Sequence, residues 1–259
     1  MLIKTAIWLI IVGFVLSRQI PIKSNFITSD IFDNVYVISK SDLKQLNSTG
    51  DVLKTYSNRN LGDITFVDAT NPMRILLFYA NFNQVVFINT KLSPISEPVS
   101  LDDLGFTSVG IACSSSQNGF WIFDTRNSQP VLISSALQVI YKGTKIQFTD
   151  SLWPAPIYMS EQGKKLFIAF QGKGIYVFDQ TAKFEKFLPI QDLKYIQVMG
   201  SYVYYLAEQK LRVLNLENME NLPYFDENQQ YDSFCLINEQ LVIADKQQLF
   251  FYKKDNLQH

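Results

Sequence analysis

From residue 24 onward the chain alternates between short apolar runs and short polar breaks. The runs hold four to seven residues, rich in Val, Ile, Phe and Tyr, and the breaks are made of Asn, Gly, Ser, Asp and Gln. Such runs predict short strands, because β-branched and aromatic side chains suit a pleated, packed surface. Sustained helical periodicity is absent. Ser41–Leu46 and Asn215–Asn221 read as no more than helical turns. The strands repeat. Similar hairpin openings begin at Asn34, Arg74, Gly119, Lys165, Tyr202 and Gln240, with spacings of 40, 45, 46, 37 and 38 residues. Each is followed by a partner strand, most clearly at Val85, Ile175, Leu211 and Leu249, and each is preceded by another strand and a turn. Asn118-Gly119 marks one of these turns as a type I′ hairpin, whose two central residues take positive φ. The unit is strand a, strand b, strand c and a looser strand d.

Four strands in about 40 residues is the period of a propeller blade. The sequence therefore predicts an all-β, six-bladed β-propeller, with a count of five or seven blades left open. The blades fall at 24–63, 64–106, 107–153, 154–193, 194–230 and 231–254. The last lacks an outer strand. An N-terminal strand, with Phe26-Ile-Thr-Ser as the candidate, is expected to supply it and close the ring, which removes free sheet edges.

The N-terminus adds an address. Ala6–Leu16 is an apolar run of 11 residues preceded by Lys4. It is too short for a bilayer core of about 30 Å and fits the apolar region of a signal peptide. The expected organisation is a signal peptide over residues 1–17 and one propeller domain over 18–259. The expected location is outside the cytoplasm, in a periplasm or at the periphery of an outer membrane. An uncleaved anchor and a buried N-terminal strand are the alternatives.

Composition narrows the chemistry. The 23 Lys and Arg nearly balance the 24 Asp and Glu. A general nucleic-acid binder needs a basic excess, so none is expected. The single histidine is the terminal His259. That argues against histidine general-base chemistry, Ser-His-Asp triads and His-ligated zinc. Cys113 and Cys235 fall on strand a of blades three and six, on opposite sides of the ring. They are expected to be free thiols, since a disulfide needs Cα atoms within about 7 Å.

The candidate site lies on the loops from strand d to the next strand a. Arg59, Asp63, Asp102, Asp103, Asp150, Asp192 and Asp226 would ring one face, with the aromatic residues Phe106 and Trp153 beside them. Carboxylates are hard ligands, so this ring leaves a calcium site open. The plainer reading is that each Asp satisfies backbone N–H groups in its own turn. Phe106, Phe148, Trp153 and Tyr231 either stack on a ligand or fill the space between blades. Lys142–Pro156, which contains Trp153, is the longest connection. Asn47-Ser-Thr matches a glycosylation sequon, and Asp150-Ser-Leu matches an O-glycosylation motif.

The blade period, with phrases such as Gly174-Ile-Tyr-Val-Phe-Asp, resembles the secreted six-bladed propellers of the NHL, TolB and YncE-like group. The stretch Tyr56–Asp68 with Asn71–Tyr79 also looks like an uncharacterised propeller family of Bacteroidetes envelopes. WD dipeptides, kelch glycine pairs, sialidase Asp boxes and quinone-docking tryptophans are absent. The expectation is a non-catalytic protein-interaction scaffold of the cell envelope. It would be an accessory subunit, a monomeric propeller within a hetero-complex and at most peripheral to a membrane, without a cofactor. The alternatives are a calcium-dependent hydrolase or lyase acting on a sugar or lactone, and a sugar-binding or sensing module.

Overall fold

A computed structural model describes residues 13–148, 154–225, 230–238 and 240–255. The first twelve residues of the predicted signal segment 1–17, together with Asp150, Trp153, Asp226 and His259, lie outside them. The first strand is β1 (Phe14–Ile20). Blade one follows as β2 (Phe26–Ser29), β3 (Val35–Ser39), β4 (Asp42–Leu46) and β5 (Val52–Ser57). Blade two is β6 (Phe66–Asp68), β7 (Ile75–Tyr79), β8 (Gln84–Ile88) and β9 (Val99–Ser100). Blade three is β10 (Val109–Ser115), β11 (Gly119–Asp124), β12 (Gln129–Ser134) and β13 (Val139–Lys142). Blade four is β14 (Pro156–Gln162), β15 (Lys165–Phe170), β16 (Gly174–Asp179) and β17 (Phe184–Pro189). Blade five is β18 (Leu193–Met199), β19 (Tyr202–Ala207), β20 (Lys210–Asn215) and β21 (Asn221–Phe225). Blade six is β22 (Ser233–Ile237), β23 (Gln240–Ala244) and β24 (Leu249–Lys254), completed by β1. All six sheets are four-stranded and antiparallel.

The middle strands read as continuous apolar runs because both of their faces are covered. On β7, Ile75, Leu77 and Tyr79 pack toward blade one, while Leu76 and Phe78 pack toward blade three. On β11, Phe120 and Ile122 pack toward blade two, while Trp121 and Phe123 pack toward blade four. The core is thus six apolar layers, one between each pair of neighbouring blades. A strand with one solvated face would alternate instead.

Closure comes from the N-terminal side, as expected, but from another segment. Phe26–Ser29 is the innermost strand of blade one, paired with β3. The outer strand of blade six is β1, paired from Phe14 opposite Lys254 to Ile20 opposite Leu249, with a bulge at Ser17 between Leu16 and Arg18. It is fixed at both ends. Phe14 makes edge contacts with Tyr224 and Phe225 of blade five, and Ile20 packs into the layer between blades six and one. Gly50 permits that second contact. Its φ is +84°, and a Cβ there would meet the Ile20 Cδ1 at 2.3 Å.

Two local expectations change. Asp42–Leu46 is strand c of blade one, not a helical turn, because Leu43 and Leu46 face opposite inter-blade layers. The turn before β11 uses Ser116, Gln117 and Asn118, and of the Asn-Gly pair only Asn118 has positive φ. Gly119 is needed for a different reason: a Cβ there would lie 2.1 Å from the Ile133 carbonyl oxygen.

Candidate functional site

The six innermost strands surround the axis without pairing to one another. Side chains bridge them instead. The Ser233 hydroxyl accepts from the Ile27 N–H at 3.2 Å, joining blades six and one. The Tyr158 hydroxyl accepts from the Val198 N–H at 3.2 Å, joining blades four and five. Gln197 joins blades five and six by accepting from the Leu236 N–H at 2.8 Å, and its amide donates to Ser29 Oγ of blade one at 3.2 Å. Blade three is gripped from both sides. Asp68 of blade two accepts from the Ser114 N–H at 2.8 Å. Glu161 of blade four accepts from Ser115 Oγ at 2.7 Å, from both donors of Ser116, and from the Trp121 indole N–H at 2.5 Å.

The axial funnel opens where strands a and b turn. Its cavity is about 290 Å³, lined by Ser29, Asp30, Tyr158, Gln162, Tyr195 and Gln197 among others. Phe66 of blade two meets Tyr158 of blade four edge to face at 6.0 Å, and Tyr195 of blade five meets Phe234 of blade six at 5.5 Å. Asp30 is the one carboxylate among the described residues lining this cavity. It already accepts from the N–H groups of Phe32 and Asn34, the Asn34 side chain and the Tyr36 hydroxyl, all at 2.8–3.0 Å. Asp68 and Glu161 do not line the cavity. A glycosidase-type site needs two carboxylates facing one open space. In this funnel the carboxylate is spent on its own blade, while Ser29, Tyr158 and Gln197 hold neighbouring blades together.

Asp68 carries an energetic signature of that role. Burial pushes its carboxyl above the ordinary value near 3.8, against the opposing effect of donors from Thr70 and Ser114. The folded state therefore binds a proton more tightly than the unfolded state. This group's contribution to stability is complete below the ordinary value and is lost as pH rises through the raised one. We expect the urea midpoint to fall more steeply with rising pH in the native chain than in Asp68→Asn. Parallel midpoint-against-pH curves for the two would contradict this.

The described acidic loops run from strand d of one blade to strand a of the next, at the sheet ends away from the a–b turns. Arg59, Asp63, Asp102, Asp103 and Asp192 are all exposed there. They do not converge. Among the described residues, no three Asp, Glu, Cys or His side chains gather closely enough to hold a metal ion. Asp102 accepts from the Asn83 side chain at 2.8 Å, and Asp192 occupies a turn position at φ +52°. Phe106 is buried between blades two and three, and Phe148 packs on Phe170 and Tyr176. Tyr231 is buried against Phe225. Asn47 caps its own turn by accepting from the N–H groups of Thr49 and Asp51. Cys113 and Cys235 are free and buried, and burial pushes both thiols up.

Sequence reasoning missed the opposite face. Among the described residues, the a–b and c–d turns around the funnel mouth carry six exposed large apolar side chains, and two more stand at the strand ends that flank an a–b turn. Ile31, Phe32, Met73, Met199 and Tyr202 border the a–b turns, and Ile95, Leu137 and Met219 sit on the c–d turns. Among the described residues, the turns on the face with the aspartates have Phe82 alone. The signal was available as apolar residues placed inside turn sequences, in Asp30-Ile31-Phe32 and Asn71-Pro72-Met73.

No protein-family model matches the chain, and no curated protein sequence does. Solved structures do match in shape. The Neurospora crassa Pan2 WD40 domain has 8% identity and a TM-score of 0.63, covering 93% of this chain and 91% of that one. Virginiamycin B lyase from Staphylococcus aureus has 13% identity and a TM-score of 0.64, covering 93% and 99%. A chain of the mitotic checkpoint complex has 8% identity and a TM-score of 0.66, covering 93% and 92%. At such identities the likeness speaks for the fold alone. Six four-stranded antiparallel sheets around a funnel, matched in shape along 93% of the chain, make this protein a six-bladed β-propeller.

Proposed function

We propose that this propeller is a non-catalytic interaction scaffold that docks a protein partner on the face around its funnel mouth. The observation that carries the reading is the segregation of exposed apolar side chains at the turns, eight on that face against one on the other among the described residues. Apolar side chains exposed preferentially on one face point to an interaction site there. The funnel supports the same reading, since the one carboxylate among the described residues lining it, Asp30, is held by donors from its own blade. Similar folds are found both in a lyase and in the mitotic checkpoint complex, so the site has to decide between them. The cell envelope is the proposed setting, with the apolar run at Ala6–Leu16 as its support.

The test is recovery of partners by the tagged full chain from envelope and cytosolic extracts. Phe32→Asp with Met73→Glu should reduce recovery of a stoichiometric partner at least tenfold while leaving the melting temperature within a few degrees, because both side chains are more than 60% exposed. Asp102→Asn with Asp192→Asn should leave recovery unchanged. Equal recovery by both double variants would remove the docking face. Calcium-dependent turnover on a lactone or glycoside panel would replace the scaffold with an enzyme.

A further inference from the structure

The rim of the propeller is uneven. The outer strand of blade two, β9, has two residues, whereas the other outer strands have four to seven. The shortfall leaves a groove of about 480 Å³ between blades two and three. Phe87, Phe120, Ile95 and Leu137 give it apolar walls, and Arg74 lies within it.

Arg74 is unusually placed. Its guanidinium carbon sits 3.5 Å from the centre of the Phe87 ring, and one N–H donates to the Gly119 carbonyl at 3.1 Å. No carboxylate pairs with it among the described residues. The side chain is half-buried, and the Gly119 carbonyl takes one of its five N–H donors. A guanidinium fixed by stacking is arranged for two-point contact with a carboxylate. Glu97 and Asp103 also border the groove, both exposed. They would repel a run of acidic residues without neutralising Arg74.

We propose that this groove binds an acidic peptide segment of a protein partner, with a single carboxylate on Arg74 and apolar neighbours against Phe87, Ile95 and Leu137. The apolar walls select the flanking residues, and Glu97 with Asp103 selects one acid over a polyacidic tract. This inference rests on the scaffold reading and adds the class of segment recognised.

The test uses the full chain and a random peptide library displayed on phage, followed by fluorescence polarisation with synthetic peptides. Selected peptides should carry one Asp or Glu between apolar residues. The amide twin of the best peptide should bind at least tenfold more weakly. Arg74→Met, which keeps an apolar stem over Phe87, should lose the same factor for the acidic peptide and nothing for its twin. Leu137→Glu is a second variant at an exposed position and should weaken the acidic peptide similarly. A peptide with three successive acids should bind more weakly than the single-acid one, and Glu97→Gln should narrow that gap. Selection without acidic enrichment, or undiminished binding by both variants, overturns the groove site. If selected peptides ignore Arg74 but are lost with Phe32→Asp, the groove fails and the scaffold stands. If no peptide is selected and the face variants recover partners normally, both fail.

Discussion

A chain begun at Pro21 should lose on the order of 5 kcal/mol of stability relative to one begun at Gly13, from several net hydrogen bonds of about 0.5–1.5 kcal/mol each plus apolar contacts. The lost elements are identifiable. β1 pairs six residues with β24. Phe14 contacts two rings of blade five, and Ile20 fills a layer against blade one. The Arg18–Asp51 ion pair at 3.0 Å is exposed and adds little. Without β1, β24 becomes a bare edge, and such edges recruit other chains. A chain begun at Arg18 is the informative intermediate. It keeps the pairs from Arg18 to Ile20 and the Ile20 contact, and should lose about half as much by the same reckoning. Urea midpoints and size-exclusion profiles of the three chains check the order. A Pro21 chain that is monomeric, with the midpoint of the Gly13 chain, would show that blade six does not need its fourth strand. The same series bears on processing, because cleavage after Ser17 would leave the Arg18 chain.

The second large effect is expected at Trp121. It is fully buried in the layer between blades three and four. Trp121→Ala should cost about 3–5 kcal/mol through the cavity it leaves. Its indole N–H also donates to Glu161, and a hydrogen bond to a charged group adds roughly 1.5–3 kcal/mol. At about 2–4 °C per kcal/mol for a chain of this size, the melting temperature should fall by 10 °C or more. Trp121→Phe separates the two parts, keeping most of the volume and losing the donor. If Trp121→Phe melts with the native chain, the indole bond contributes nothing and Glu161 is held by its serines alone.

The two predictions touch parts of the fold that were unequally legible in the sequence. The middle strands could be placed because packing on both faces turns them into unbroken apolar runs, as in Ile75–Tyr79 and Gly119–Asp124. Outer strands were faint, since residues such as Val52–Thr55 face solvent and carry no pattern. β1 was hidden inside a longer apolar run, where Phe14, Val15 and Leu16 have the composition of an export segment as well as of a strand. The polar stitching was invisible for another reason. Asp68, Glu161 and Gln197 look like ordinary strand residues, and only the ring sets each beside a neighbouring blade. The aspartate loops attracted attention because carboxylates carry chemistry. The docking face escaped it because exposed Ile, Phe and Met advertise themselves only once they are known to be uncovered.

The pairing of β1 with β24 also sets a timetable. Gln19 and Gln248 meet across 229 residues of chain. During synthesis β1 leaves the ribosome first and its partner only after five complete blades have followed. Each of those blades can fold on its predecessor as it emerges. The opening strand has nothing to pair with until the end, so sealing the circle is the final step. Contacts this distant in sequence form slowly. For that interval β1 is an unpaired, partly apolar segment, available to whatever escorts the chain.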